Sequence, residues 1–488
     1  MATYKGSQRP SKASPARLLA VQIGSYVRIR EAFVGEILNK ALGNSRLSAP
    51  DKAFATNLCL GVASTLGTLD YVINKALKSP SDIQDDVRDA LRISTYEILY
   101  LEKSSHAAVD QGVELVRSFA PKACGVANFA LRKINSMKAD FPFGDPEKSI
   151  EAAALLYAFP LWMAKVLEKS LGWNKAREFM EASNLAAPLF IAINSINAID
   201  SYVCDVFSKA GCELAPVVID GIAIAGCYRA SVPTVLQDPS ITKLFNEGKI
   251  LVSDAASQMV ANLVIGSGIS DSGPSKTTNE TKAPKVLEIG SGRATKSILL
   301  QSNAHRMHNS QLELSCLDTH SYKMDILKTR CATYGTYVSA THVGDGRKLS
   351  QLLNISSDYS KEYDIIFIDA PCSGLGTLRR HPEIRWRITP DQISQMAALG
   401  LELLEAAASH VSIGGTLAYA TCTVLPLENE FTIQKFLQSK AGENFKLAHM
   451  KAMENSNEVR EFGSGLFKMQ ISKDSPDAHF LAIIKRIK

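Results

Sequence analysis

The 488 residues contain no apolar run approaching the roughly 18 that a bilayer-spanning helix needs, and even Val217 to Cys227 is interrupted by Asp220. A membrane enzyme is therefore not expected. Met1 to Pro15 is polar and basic without an apolar core, unlike a signal peptide, so a cytoplasmic location is expected. The nine cysteines form no CxxC pair and no His/Cys cluster at metal-ligand spacing, which disfavours a disulfide scaffold and a structural zinc site; no metal is expected. GxxxxGK[ST] is missing, which argues against a nucleoside triphosphatase. Charge of one sign is scarce overall, at a net +5, but residues 1–140 hold 19 Lys+Arg against 13 Asp+Glu. A positively biased module beside a near-neutral one fits an RNA-docking domain joined to a catalytic domain.

What remains is the balance of a soluble globular protein long enough for two or three domains, with 46% hydrophobic and 21% charged residues. Phe54, Leu58, Val62, Leu66, Leu69, Ile73 and Leu77 recur at helical intervals, and similar periodicity runs through Leu18 to Leu38, Val87 to Leu101 and Ala107 to Phe119. Ser48 to Asp51 and Ser79 to Asp82 break the pattern, giving a helical bundle over 1–140. Pro142, Gly144 and Pro146 mark a boundary. A small α+β segment is expected over 141–235: two helices from Ile150 to Met180, a strand at Leu189 to Asn194, a helix at Ala198 to Ala210 and β-branched runs in Pro216 to Ala225. Residues 236–488 form the third expected domain. Within it, Gly266 to Pro284 reads as a loop or linker.

After Pro284 short apolar runs alternate with helical stretches. Lys285 to Ile289, Glu313 to Leu317, Tyr337 to His342, Asp364 to Ile368, Gly415 to Ala420 and His479 to Ile484 are the expected strands of a Rossmann-like α/β sheet, mostly parallel. Ligands bind at the carboxyl ends of such strands. Glu288, Gly290 and Gly292 stand where the first strand runs through a glycine turn into a helix, a place where the backbone can approach a ligand and free N–H groups face it. Asp318 ends the second strand and is placed to bond ribose hydroxyls; Asp345 follows the third. Acids after successive strands suit a nucleoside ligand. Asp369-Ala370-Pro371-Cys372-Ser373-Gly374 and Tyr419-Ala420-Thr421-Cys422 follow two further strands, so two cysteines share one sheet edge.

These segments, with Val286 to Lys296 ahead of them, resemble the Sun-type RNA cytosine-5 methyltransferases, the family that includes RsmB. Val252 to Gln258 and the basic stretch Arg379 to Trp386 also resemble family motifs, and Phe54 to Leu77 is similar to the NusB-like domain of RsmB-type members. The resemblance implies a class I methyltransferase that uses S-adenosylmethionine to form 5-methylcytidine in small-subunit (16S) rRNA. Carbon 5 of cytosine is a poor nucleophile, and a thiolate adding at carbon 6 makes it an enamine. The resemblance makes Cys422 that nucleophile and gives Cys372 the release of product, Asp369 the cytosine edge and Lys296 the stabilisation of negative charge. It assigns the donor to the glycine turn, with its ribose at Asp318 and its adenine side at Asp345. Arg379, Arg380, Arg385 and Trp386 are expected to meet RNA phosphates and a base face.

The sequence departs from the family at Arg293-Ala294-Thr295, where Pro-Gly-Gly is usual, at Glu288 in place of Asp, at Ala192 in place of arginine and at His479 in place of glycine. Two rival readings are a DNA-type cytosine-5 enzyme, with Cys372 as nucleophile, and a binding protein that has lost the donor site.

Overall fold

A computed structural model of the chain describes residues 11–101, 105–268, 283–354, 362–448 and 465–488; apart from its ends, the expected linker 266–284 lies outside them. Contacts divide the chain into two compact units, Met1–Leu185 with Leu378–Ile388, and Ala186–Thr377 with Thr389–Lys488. The division differs from the three-part expectation. Everything up to Leu185 joins the helical unit, and the small strand segment joins the unit of the main sheet.

The first unit contains α1 (Pro15–Arg30), α2 (Val34–Gly43), α3 (Ala49–Ala76), α4 (Asp85–Leu99), α5 (Ser105–Phe119), α6 (Cys124–Met137), α7 (Ile150–Leu156), α8 (Leu161–Leu171) and α9 (Trp173–Ala182). The stripe on α3 faces inward as its spacing requires: Leu58, Leu69 and Ile73 are buried against Leu91, Ile98 and Leu131. Ser48 caps α3 by accepting the Asp51 N–H, and Pro50 occupies its first turn. The periodic run Leu18 to Leu38 is two helices, because Glu31 turns left-handed at φ 50° and Phe33 is extended. Three helices rather than two follow Ile150, since Gly172 at φ 80° interrupts the chain between α8 and α9.

The segment Leu378–Ile388 is packed into this helical unit. Arg385 is completely buried. Its guanidinium donates to the carbonyls of Tyr157 at 3.3 Å, Ala158 at 3.2 Å and Ser183 at 3.3 Å and to Asn184 Oδ1 at 2.8 Å, and lies 4.3 Å from the Phe159 ring centroid. Burial pulls its pKa down to about 9. The Trp386 indole N–H is shared between the carbonyls of Ala63 and Ser64, each at 3.1 Å. Glu383 accepts the Val34 N–H at 2.6 Å, and Arg387 donates to the carbonyls of Glu31 and Ala32. The expectation that Arg385 meets RNA is thereby corrected, since its guanidinium is fully buried in the helical unit; the Trp386 ring, also expected to meet RNA, is half-buried with its N–H turned onto α3. Arg379 and Arg380 are half-buried.

The second unit begins with β1 (Phe190–Ile193), α10 (Asp200–Lys209), β2 (Leu214–Ile219), β3 (Ile222–Ala230), α11 (Pro239–Asn246) and β4 (Ile250–Val252), whose strands form an antiparallel sheet in the order β2-β3-β1-β4. After α12 (Ala255–Gly268) come β5 (Lys285–Ile289), α13 (Thr295–His308), β6 (Glu313–Asp318), β7 (Ala340–Val343), β8 (Tyr363–Asp369), β9 (Val411–Thr421), β10 (Phe445–Leu447), β11 (Leu466–Met469) and β12 (His479–Arg486). The main sheet runs β10-β12-β9-β8-β5-β6-β7, with β11 paired to β12. Strands β5 to β9 are parallel, and β12 is antiparallel to β9. Val286, Leu314, Ile365 and Phe367 face one core with α12 and α13, while Leu287, Leu317, Ile366 and Ile368 face another with Leu403, Leu404 and Phe436. Burial on both faces explains their near-continuous apolar character. Strand β7 is shorter than the run Tyr337 to His342 suggested, and the short β4, β10 and β11 had no expected counterpart. The pairings Ile289↔Leu317, Ile289↔Ile368 and Asp369↔Ala420 align the carboxyl ends of β5, β6, β8 and β9.

A Cβ at Gly67 of α3 would overlap Cζ3 of Trp386. Alanine is the better helix former by about 1 kcal/mol, but overpacking costs about 1–3 kcal/mol, so Gly67→Ala should destabilise the helical unit. Trp162, Trp173 and Trp386 are the chain's three tryptophans, and all belong to this unit. Urea unfolding followed by tryptophan fluorescence should show a lower midpoint for Gly67→Ala; an unchanged or higher midpoint would contradict this packing.

Candidate active site

The glycine turn after β5 is built by the sequence it must accommodate. Gly290, at φ 85°, lies against the Asp369 carbonyl, where a Cβ would collide with backbone. The N–H groups of Gly290 and Ser291 donate to the Leu317 carbonyl, and that of Gly292 donates to Asp318 Oδ2 at 3.1 Å. Ala294, at φ 64°, is the residue before α13 and takes a left-handed conformation that glycine adopts more freely.

Lys296, in the first turn of α13, reaches the end of β8 and donates to Asp369 Oδ2 at 2.6 Å. Burial opposes its charge, but the Asp369 carboxylate and the field of Cys422 hold the ammonium above its ordinary range. Beyond Asp369 and Thr421 the loops after β8 and β9 bring Cys372 Sγ and Cys422 Sγ to 3.3 Å. The Cys422 N–H also points at Cys372 Sγ, at 3.3 Å. The hydrogen bond to Cys422, followed by burial and the Glu428 charge, raises the Cys372 thiol well above its ordinary range, so Cys372 keeps its proton.

The structure thus brings Cys372, Cys422, Asp369 and Lys296 together, with Glu288 behind them on β5. Asp318 is buried and accepts from Gly292, His320 and Lys323; burial opposes its charge, but Lys323 and these N–H groups hold its carboxyl below the ordinary range. Asp345 caps the turn Gly346–Lys348 and is bonded by the Arg347 guanidinium at 2.7–3.0 Å. A nucleoside fits this edge. Beside Gly292 a Cβ would meet nothing nearer than the Gly290 carbonyl at 3.7 Å, which leaves room over the turn, and Asp318 offers acceptors beside it. Sequence reasoning missed Glu428 and Asn429, which bind the two cysteine loops. Their signal was a polar Glu428-Asn429-Glu430 run at the mouth of the helix Glu430–Gln438.

Both parts of the chain are similar to known proteins. The family described as 16S rRNA methyltransferase RsmB/F matches residues 292–485, and the NusB family matches residues 14–136. The ribosomal RNA small subunit methyltransferase B of Escherichia coli O6:K15:H31 is 28% identical over 404 residues, covering 81% of this chain and 84% of the relative. The crystal structure of PH0851 aligns over 98% of this chain and 100% of its own, with a TM-score of 0.74 and 22% identity. NSun6 from Pyrococcus horikoshii, solved with SFG, aligns over 68% of this chain and 100% of its own, with a TM-score of 0.52 and 15% identity.

Glu288 is fully buried; Oε2 accepts from Ser297 Oγ at 2.5 Å and from the Cys316 thiol at 3.8 Å. Burial, aided by the Asp369 charge and opposed by Ser297 and Lys296, raises its pKa from 4.5 to about 7. The folded value lies above the unfolded one, so its contribution to stability is complete below pH 4.5 and is lost as pH rises through about 7. The loss is on the order of 3 kcal/mol. His479 runs the other way: burial, with Lys296 nearby, lowers its pKa from 6.5 to about 4, and its contribution is lost as pH falls through that range. Because the two windows overlap, Glu288 must be read as a difference. Subtracting the unfolding free energy of Glu288→Gln from that of wild type should give a value that declines by about 3 kcal/mol between pH 4.5 and 8. A flat difference would show that burial does not hold the proton on Glu288.

Proposed function

The C-terminal domain of this chain belongs to the RsmB/F methyltransferase family and its N-terminal domain to the NusB family, and from that premise we propose that the paired cysteines methylate carbon 5 of a cytidine in small-subunit rRNA. The chain is an S-adenosylmethionine-dependent rRNA methyltransferase of the RsmB/Sun type. When bound, S-adenosylmethionine supplies an electrophilic methyl group on a sulfonium.

The observation that carries the finer reading is the 3.3 Å approach of two thiols beside the Lys296–Asp369 pair. Cys422, as thiolate, adds to carbon 6 of the ring. The displaced electron pair makes carbon 5 nucleophilic, and the Lys296–Asp369 pair shares the proton that N3 gains. Lys296 is held as a cation near Cys422. Once carbon 5 carries the methyl group, its proton passes to solvent, the carbon 5–carbon 6 double bond re-forms, the carbon–sulfur bond breaks back to Cys422 and N3 returns its proton to the Lys296–Asp369 pair. Cys372 assists that release from 3.3 Å away. Asp318 takes the donor's ribose hydroxyls and Gly290 and Gly292 the adjoining chain, with Glu288 beneath the turn. Asp345 takes the adenine side once its bond with Arg347 rearranges. Arg379 and Arg380 are the basic pair assigned to RNA.

Incubation with unmodified small-subunit rRNA and S-adenosylmethionine tests this assignment. Cys372→Ala should accumulate a denaturation-resistant protein–RNA adduct, and Cys422→Ala should form none. The opposite pattern would make Cys372 the nucleophile, as in the DNA-type scheme. Adducts from neither variant nor wild type would remove the covalent mechanism.

A further inference from the structure

We propose that Glu428 and Asn429 are positioning residues that set the spacing of the two active-site sulfurs, each holding one cysteine loop; the inference rests on the paired-thiol reading above. Glu428 takes both donors of Ser373, the neighbour of Cys372: the N–H at 2.7 Å on Oε1 and the hydroxyl at 2.6 Å on Oε2. Asn429 holds the residues on either side of Cys422. Its Oδ1 accepts from Thr421 Oγ1 at 2.5 Å, and its Nδ2 donates to the Thr423 carbonyl at 3.0 Å. Ser373 Oγ and Thr423 Oγ1 then meet at 2.8 Å, closing the link between the loops.

All five residues are buried, with Glu428 at 1% and Asn429 at 0% exposure. The Glu428 carboxylate accepts from the Ser373 N–H and from Ser373 Oγ. Retaining an acid in such a place is costly for a part that only fills space. Its two oxygens, however, match the diverging N–H and O–H of one serine, which a hydrocarbon could not hold. The dipeptide is itself fixed, since the Glu428 carbonyl accepts from Tyr419 OH of β9 at 2.9 Å and the Asn429 carbonyl accepts the Ile433 N–H of the helix Glu430–Gln438 at 3.1 Å.

The spacing can be read without RNA. Diamide accepts two electrons and two protons from a pair of adjacent thiols, leaving a disulfide and a hydrazine, and the Cys372–Cys422 product is measured by peptide mass spectrometry. Glu428→Ala and Asn429→Ala should slow this cross-link about tenfold or more and lower kcat about 100-fold, the usual penalty for a displacement on the order of 1 Å, with KM for S-adenosylmethionine within about twofold. Glu428→Gln, whose amide oxygen still accepts the Ser373 N–H, should recover most of both. If either alanine variant fails to fold, Ser373→Ala removes a single hydroxyl of the same link and should show the cross-linking defect. Cross-linking and kcat at wild-type rates in the alanine variants would overturn the proposal. Failure of the covalent mechanism would look different: rapid cross-linking in wild type, with no RNA adduct from any variant.

Discussion

Two sulfur atoms in contact at the carboxyl edge of a parallel sheet are the constraint that organises this site. Strands β8 and β9 are neighbours in register, with Asp369 opposite Ala420. Adjacent strands lie about 4.8 Å apart, so loops leaving them do not meet unless something turns them together. Here Cys372 Sγ and Cys422 Sγ stand 3.3 Å apart. The loops converge through side chains, and the Gly376 N–H adds a backbone tie to the Cys422 carbonyl at 2.8 Å. The sheet supplies the address; buried polar side chains supply the last few ångströms.

The same buried surroundings decide how charge is distributed. Lys296 is the cation facing the thiols, and its direct partner is Asp369. An ionised Glu288 would divide the field of that one cation among more anions, and burial opposes this by favouring the protonated carboxyl. His479, where the family usually has glycine, is also buried with Lys296 nearby, and its lowered pKa keeps the imidazole neutral. Burial favours a protonated Glu288 and a neutral His479, and to that extent leaves the lysine's field to Asp369 and to the sulfur pair.

The central sheet could be read from sequence because strands buried on both faces are unbroken apolar runs, and because acids and cysteines follow them at one edge. Glu288, Gly290, Asp318, Asp369, Cys372 and Cys422 were found by that logic. Strands of three or four residues such as Phe445–Leu447 and Leu466–Met469 carry no comparable signal, and their pairing with β12 is long-range. Glu428 and Asn429 were missed because a buried polar residue looks in sequence like any surface one. Charge counting in the N-terminal third was blind in the same way. Arg17 is paired with Glu97, Arg28 with Asp85 and Asp89, and Arg92 with Asp70 and Asp89, so several of the counted arginines are engaged within the helical unit although the net excess is unchanged.

The basic stretch Arg379 to Trp386 shows most clearly why composition misleads. Three arginines and an aromatic in one stretch have the chemistry of an RNA contact, and equally that of a buried prop. Here the prop prevails at Arg385, because its guanidinium is bonded to three carbonyls and an amide oxygen with no solvent-facing donor set to offer. Trp386 depends on carbonyls of α3, and Glu383 on the N–H of Val34. A cut at residue 140, which sequence alone suggests, would therefore run through a folded unit and strip these partners from a segment that begins shortly after Cys372. The helical unit is completed by chain from between the cysteine loop and the helix Pro390–Ala408, so its folding and that of the catalytic polypeptide are not independent events.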